Sequence, residues 1–222
     1  MLPSHGRSRG FESLIAHHPP HPHDLLLLRH GETAWNAEGR AQGDRLDSPL
    51  TGRGRAQATA MGGLLAGLGV GPGTHAALAS PLGRARETAA LALGPLGLRA
   101  RPDARLREIG VGAWAGLTWA EIAARWPGVP GEALFDFYER CEGGEGIAAV
   151  AARAGAVLVD LRGPAVLVTH GITLRVLAAL ALGLAPEAGG EGPHLPQGTV
   201  LRLRAGRLQR HDAALARTGG DG

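Results

Sequence analysis

The chain has 222 residues and a formal net charge of +3, carried by 23 arginines without a single lysine against 20 acidic residues. Arginine stays protonated at any ordinary pH, so the isoelectric point near 10.3 overstates a weak field, and without a basic stripe interleaved with aromatics no nucleic-acid binding is expected. Cys141 stands alone, which excludes an intrachain disulfide and suits a reducing, cytoplasmic setting, and no apolar stretch approaches the about 20 residues of a membrane-spanning helix.

Residues 1–23 hold His5, His17, His18, His21 and His23 among prolines, without periodicity. They read as a flexible, solvated tail; a histidine tract can bind metal, but no acid cluster accompanies this one and no metal is assigned. Four leucines at 25–28 then fit a short strand buried on both faces, because such strands are continuously apolar. Thr51 is placed to cap a helix over 51–68, a strand is expected over 75–79, and a helix over 82–93. Residues 97–101 read as an edge strand ended by Pro102, and 119–126 as a helix stopped by Pro127. Helices are expected over 132–140 and 146–161, a central strand over 166–169, a helix over 172–184, and a hairpin from 199–204 and 206–211. Alternating strands and helices imply an α/β fold: a three-layer α/β/α sandwich with a mostly parallel central sheet and an antiparallel edge strand. One domain over 24–213 accounts for this pattern, with 214–222 a second flexible tail.

Three strand-to-helix junctions carry the chemistry. The leucine run ends at Arg29-His30-Gly31, residues 164–169 end at His170-Gly171, and residues 76–79 end at Ser80-Pro81 before a helix bearing Arg84 and Arg86. In open α/β sheets ligands bind at the carboxyl ends of strands, so a fixed cation beside a titratable nucleophile there points to chemistry on an anion. Backbone N–H groups at the helix starts, Gly171 among them, favour the same ligand. Arg84 and Arg86 cannot share a helix face, so only one of them enters the crevice.

These junctions resemble the histidine phosphatase superfamily, which includes the cofactor-dependent phosphoglycerate mutases. The matching residues are Arg29-His30-Gly31-Glu32-Thr33 with Trp35-Asn36, Gln42-Gly43, Asp47-Ser48-Pro49-Leu50-Thr51, Ser80-Pro81-Leu82-Gly83-Arg84-Ala85, Leu106-Arg107-Glu108 with Trp114-Ala115-Gly116, and His170-Gly171 with Arg175. The resemblance implies a metal-independent phosphomonoester hydrolase, without cofactor, acting through a phosphohistidine on a small phosphorylated substrate. His30 would be the nucleophile. Arg29, Arg84 and His170 would surround the phosphoryl oxygens. Asn36 and Gln42 would donate further hydrogen bonds, while Glu32 and Thr33 would order their loop. Glu108 would be general acid and base. The residues alone do not separate it from Glu121 or Glu145; the family match selects it.

The mutases carry a longer insertion between acid and second histidine, with paired basic residues. No adjacent arginine pair lies between Glu108 and His170, which favours a phosphatase over a phosphoglycerate mutase. A catalytically silent, regulatory member of the fold is the alternative of a different class. The oligomeric state is open, a homodimer being one option. The aromatic stretch over 110–146 is expected to form a substrate lid, its alternative being a satellite core. Gly146 stands where the family often has serine, which removes a hydroxyl at a helix start without threatening the fold.

Overall fold

The computed structural model describes residues 19–45, 48–128, 132–191 and 193–212; most of the histidine tract, Asp47 and the tail expected at 214–222 lie outside these. In chain order the elements are β1 (Leu25–Arg29), α1 (Ala34–Ala37), α2 (Gly52–Gly67), β2 (Ala76–Ala79), α3 (Gly83–Leu93), β3 (Arg101–Pro102), α4 (Trp119–Arg125), α5 (Leu134–Glu139), α6 (Ile147–Asp160), β4 (Ala165–Thr169), α7 (Gly171–Ala181), β5 (Thr199–Arg204) and β6 (Arg207–Asp212). They build a six-stranded sheet in the order β3-β2-β4-β1-β5-β6. The first four of these strands are mutually parallel, β5 runs against β1, and β6 returns against β5 at the edge.

The leucine run is apolar throughout because both faces of β1 are covered. Leu25 and Leu27 pack with Val150, Val157, Leu174 and Leu177 of α6 and α7. Leu26 and Leu28 face the opposite layer with Ala58, Met61 and Leu65 of α2 and Ala85 and Ala89 of α3. Burying one such leucine contributes about 1.5–3 kcal/mol.

Register then determines where the junctions fall. Arg29 pairs with Thr169, and Ala79 with Val168. The ladder runs one residue beyond the strands, His30 N–H donating to the Thr169 carbonyl at 3.0 Å and Ser80 N–H to Val168 at 2.9 Å. His30, Ser80 and His170 therefore leave one edge of the sheet side by side.

Two expectations need correction. The edge strand predicted over 97–101 shrinks to Arg101–Pro102, because Leu98 N–H closes back onto the Leu93 carbonyl at 3.1 Å and keeps the chain off the ladder. The helix predicted to 184 stops at Ala181, where Leu184 N–H returns to the Ala179 carbonyl at 3.0 Å. Within the stretch read as a tail, His21 donates its backbone N–H to the Ala181 carbonyl at 2.8 Å. Among the described residues no helix is long and apolar enough to cross a membrane.

Candidate active site

Gly31 explains why the nucleophile junction ends in glycine. A β-carbon there would sit 2.2 Å from the Gly54 carbonyl oxygen, so the first turn of α2 can press on the loop only while both positions lack side chains. Gly31 N–H is held by Thr88 Oγ1 at 3.1 Å. The His30 ring turns its Nδ1 to the Gly31 carbonyl at 2.7 Å. A carbonyl only accepts, so Nδ1 carries the proton and Nε2 keeps its lone pair. Burial, then Arg84 and Arg29, hold the His30 pKa well below the ordinary 6.5, so the ring is neutral.

His170 lies beside it, ring centroids 5.1 Å apart. Arg84 Nε donates to His170 Nδ1 at 3.2 Å; arginine only donates, so Nδ1 is the bare nitrogen and the Nε2 proton goes to Ser80 Oγ at 2.7 Å. Burial, then Arg84, His30 and Arg29, depress the His170 pKa well below 6.5. Both ring nitrogens thus have protein partners, and His170 orients Arg84 instead of facing the cavity. Arg84 is buried and spends its two terminal nitrogens on the Arg45 and Gly43 carbonyls at 2.7 and 2.5 Å, whereas Arg86 is exposed. Both of these acceptors are uncharged carbonyls, and Arg84 is one of the charges that lower the His30 pKa.

Arg29 donates to the Leu195 carbonyl and keeps a buried Nε with no partner among the described residues. A buried N–H without an acceptor costs about 1–3 kcal/mol, which an arriving anion removes. Gly171 N–H, at the start of α7, also takes no partner among the described residues. Gln42 is buried with Oε1 unpaired. Asn36 spends Oδ1 on the Thr33 backbone and hydroxyl in the capping box of α1.

The three glutamates separate cleanly. Glu121 completes a capping box with Thr118 on α4. Glu145 is tied to Arg153, Arg107 and Gly110 N–H. Glu108 instead reaches the start of α7, where Ile172 N–H donates to Oε2 at 3.2 Å and Thr173 N–H to Oε1 at 3.1 Å. His170 provides no side-chain cap, so Glu108 fills that place from across the sequence.

Arg29, His30, Asn36, Gln42, Arg84 and Glu108 all line a narrow inner well of about 70 Å³. It opens into an outer chamber of about 410 Å³ whose walls include Trp119, Leu134, Phe137, Tyr138, Arg175 and His194. The aromatic stretch forms a buried cluster and also supplies part of the chamber wall. Trp114 is wholly buried, with ring centroids of Phe137 and Tyr138 at 4.6 and 5.8 Å, while Trp119 stays 43% exposed at the mouth. Burial and then Glu108 raise the Tyr138 pKa, which keeps its phenol protonated. Gly146, the N-cap of α6, has φ +78°, a region that disfavours side chains, and Glu139 caps in its place by accepting from Ile147 N–H at 2.6 Å. Sequence reasoning missed Ser80 as the partner of His170, and also Thr173 and His194, because none of them has a local signal; each is defined by what lies across the fold.

The histidine phosphatase superfamily (branch 1) model matches residues 25–212. A glucosyl-3-phosphoglycerate phosphatase of Mycobacterium tuberculosis is 36% identical over 188 residues, covering 76% of this chain and 81% of the relative. A probable phosphoglycerate mutase of Klebsiella pneumoniae is 37% identical over 174 residues, covering 72% and 75%. Among solved structures, a mycobacterial glucosyl-3-phosphoglycerate phosphatase complexed with VO3 superposes with a TM-score of 0.75 at 32% identity, covering 86% of this chain and 100% of that one. A phosphoglycerate mutase from Thermus thermophilus gives 0.61 at 35% identity, covering 87% and 99%. By sequence and fold together, the chain belongs to the histidine phosphatase superfamily, branch 1.

Proposed function

We propose that this protein hydrolyses phosphomonoesters, with His30 as nucleophile. One observation carries the reading: the proton of His30 is held on Nδ1 by Gly31, which leaves the Nε2 lone pair free beside Arg29 and Arg84. Nε2 attacks phosphorus as the bond to the ester oxygen breaks, and Glu108 gives its proton to that oxygen. Water then attacks the phosphohistidine, Glu108 takes a proton back, and phosphate leaves. Arg29 offers its unpaired Nε and Gly171 its N–H to the equatorial oxygens, while Arg84 contributes charge from behind. Gln42 and Asn36 complete the polar lining, and His170 holds Arg84 in place. The steps use side-chain and backbone groups of this chain together with water.

The substrate is a small organic phosphate whose body occupies the outer chamber, and glucosyl-3-phosphoglycerate, named for the mycobacterial relative, is the first compound to try. The relatives named as probable mutases support a second reading, phosphoglycerate interconversion. The test is turnover of a panel of phosphate esters with chelator present, by wild type and His30→Ala. Hydrolysis that falls by about 10⁴-fold or more in the variant is expected. Activity that survives the substitution overturns the mechanism, and interconversion of 3- and 2-phosphoglycerate exceeding hydrolysis installs the mutase. A cytoplasmic location is part of the proposal, supported by the lone free thiol of Cys141.

A further inference from the structure

Thr173 is wholly buried in the first turn of α7 and meets the acid through both its backbone and its side chain. Its hydroxyl lies 2.7 Å from the Arg107 carbonyl and 3.2 Å from Glu108 Oε1. Oε1 is held by Ile109 N–H at 3.1 Å and Thr173 N–H at 3.1 Å, whereas among the described residues Oε2 meets only Ile172 N–H at 3.2 Å. A carboxylate oxygen has two lone pairs, so Oε1 is saturated and Oε2 retains one. We infer that Thr173 is the positioning residue for Glu108, its hydroxyl giving its single proton to the Arg107 carbonyl and so clamping the first turn of α7 to the backbone that carries the acid, and that Oε2 carries the proton delivered to the leaving oxygen. This deepens the phosphatase reading above and rests on it.

In the first half reaction the Nε2–phosphorus bond of His30 forms, the phosphorus–oxygen bond of the ester breaks with its electron pair on the departing oxygen, and the Oε2 proton joins that oxygen. Without that clamp the Ile172 and Thr173 amides shift away from the carboxyl group, and Oε2 loses its line to the leaving group. A nitrophenolate leaves without help and an alkoxide does not, so the loss depends on the ester.

The experiment compares kcat/KM, which reports the first half reaction, for 4-nitrophenyl phosphate and an alkyl phosphate. The proteins are wild type, Thr173→Val, Thr173→Ser and Glu108→Gln, each checked for an unchanged circular dichroism spectrum. Thr173→Val is expected to lose about 10- to 100-fold on the alkyl ester and less than about 3-fold on the aryl ester, with Thr173→Ser near wild type on both. Glu108→Gln should show the same bias more strongly. If Glu108→Gln shows it and Thr173→Val does not, or if serine fails to restore the rate, the role of Thr173 is overturned while the acid stands. If Glu108→Gln loses equally on both esters, the assignment of the acid itself falls.

Discussion

The inner well and the outer chamber are built from opposite materials. In the well the decisive groups are held by main chain: His30 by the Gly31 carbonyl, Arg84 by Gly43 and Arg45, Glu108 by the amides of α7. Backbone partners cannot change without refolding, so the well presents one charge pattern to any phosphoryl group. The chamber shares Arg29, Asn36, Glu108, Trp119 and Tyr138 with the well, and the rest of its wall comes from side chains of α5, the start of α7 and the segment around His194, with Trp119 exposed at its mouth. On the proposed mechanism the part that reacts is anchored in the sheet edge, and selection among substrates would fall to the chamber walls that the well does not share.

That division predicts different signatures on the two sides. Arg84→Ala should lower kcat/KM by about 10²- to 10³-fold by a similar factor for every ester, since it withdraws charge from the shared phosphoryl site. Because Arg84 is one of the charges that depress the His30 pKa, the acid limb of the kcat/KM profile should also move to higher pH in this variant. Steady-state rates across pH check both points, and a loss confined to some substrates would erase the division. Trp119→Ala should instead raise KM by about 10-fold for substrates with a bulky body and leave 4-nitrophenyl phosphate turnover nearly unchanged. Equal effects on both would show that the chamber does not select.

The smallest expected effect concerns stability. His30 and His170 have folded pKa values below the ordinary 6.5, so the unfolded chain takes up their protons first as pH falls. Stability is therefore full above 6.5 and is lost as the pH drops from there through the folded values. Thermal midpoints between about pH 8 and 5 should decline on the acid side, less steeply for His30→Asn. A midpoint that rises on acidification would mean that the buried pair is not held neutral.

Much of the skeleton is written in short stretches of sequence. Four consecutive leucines need two covered faces, and the histidine-glycine junctions mark strand ends; both depend on residues within a turn of each other. The edge strand over 97–101 was less legible, because a turn closing on Leu93 competes for the same backbone groups. Arg84 could be told from Arg86 by helical periodicity together with a family match, yet what Arg84 holds could not be read, since its partners are carbonyls about forty residues upstream.

The sequence by itself determined the order of the layers, the sheet edge that bears the site, and His30, Arg29 and His170 as candidates, while the family resemblance selected Arg84 and Glu108. Only the tertiary structure decided what each of them touches. It placed Glu108, and neither Glu121 nor Glu145, at the start of α7, turned His170 toward Ser80 and Arg84, and set the Thr173 hydroxyl on the Arg107 carbonyl beside the acid. The reason is that apolar periodicity and turn chemistry are local, whereas a tautomer or an acid's orientation depends on groups that meet only after the strands have found their register.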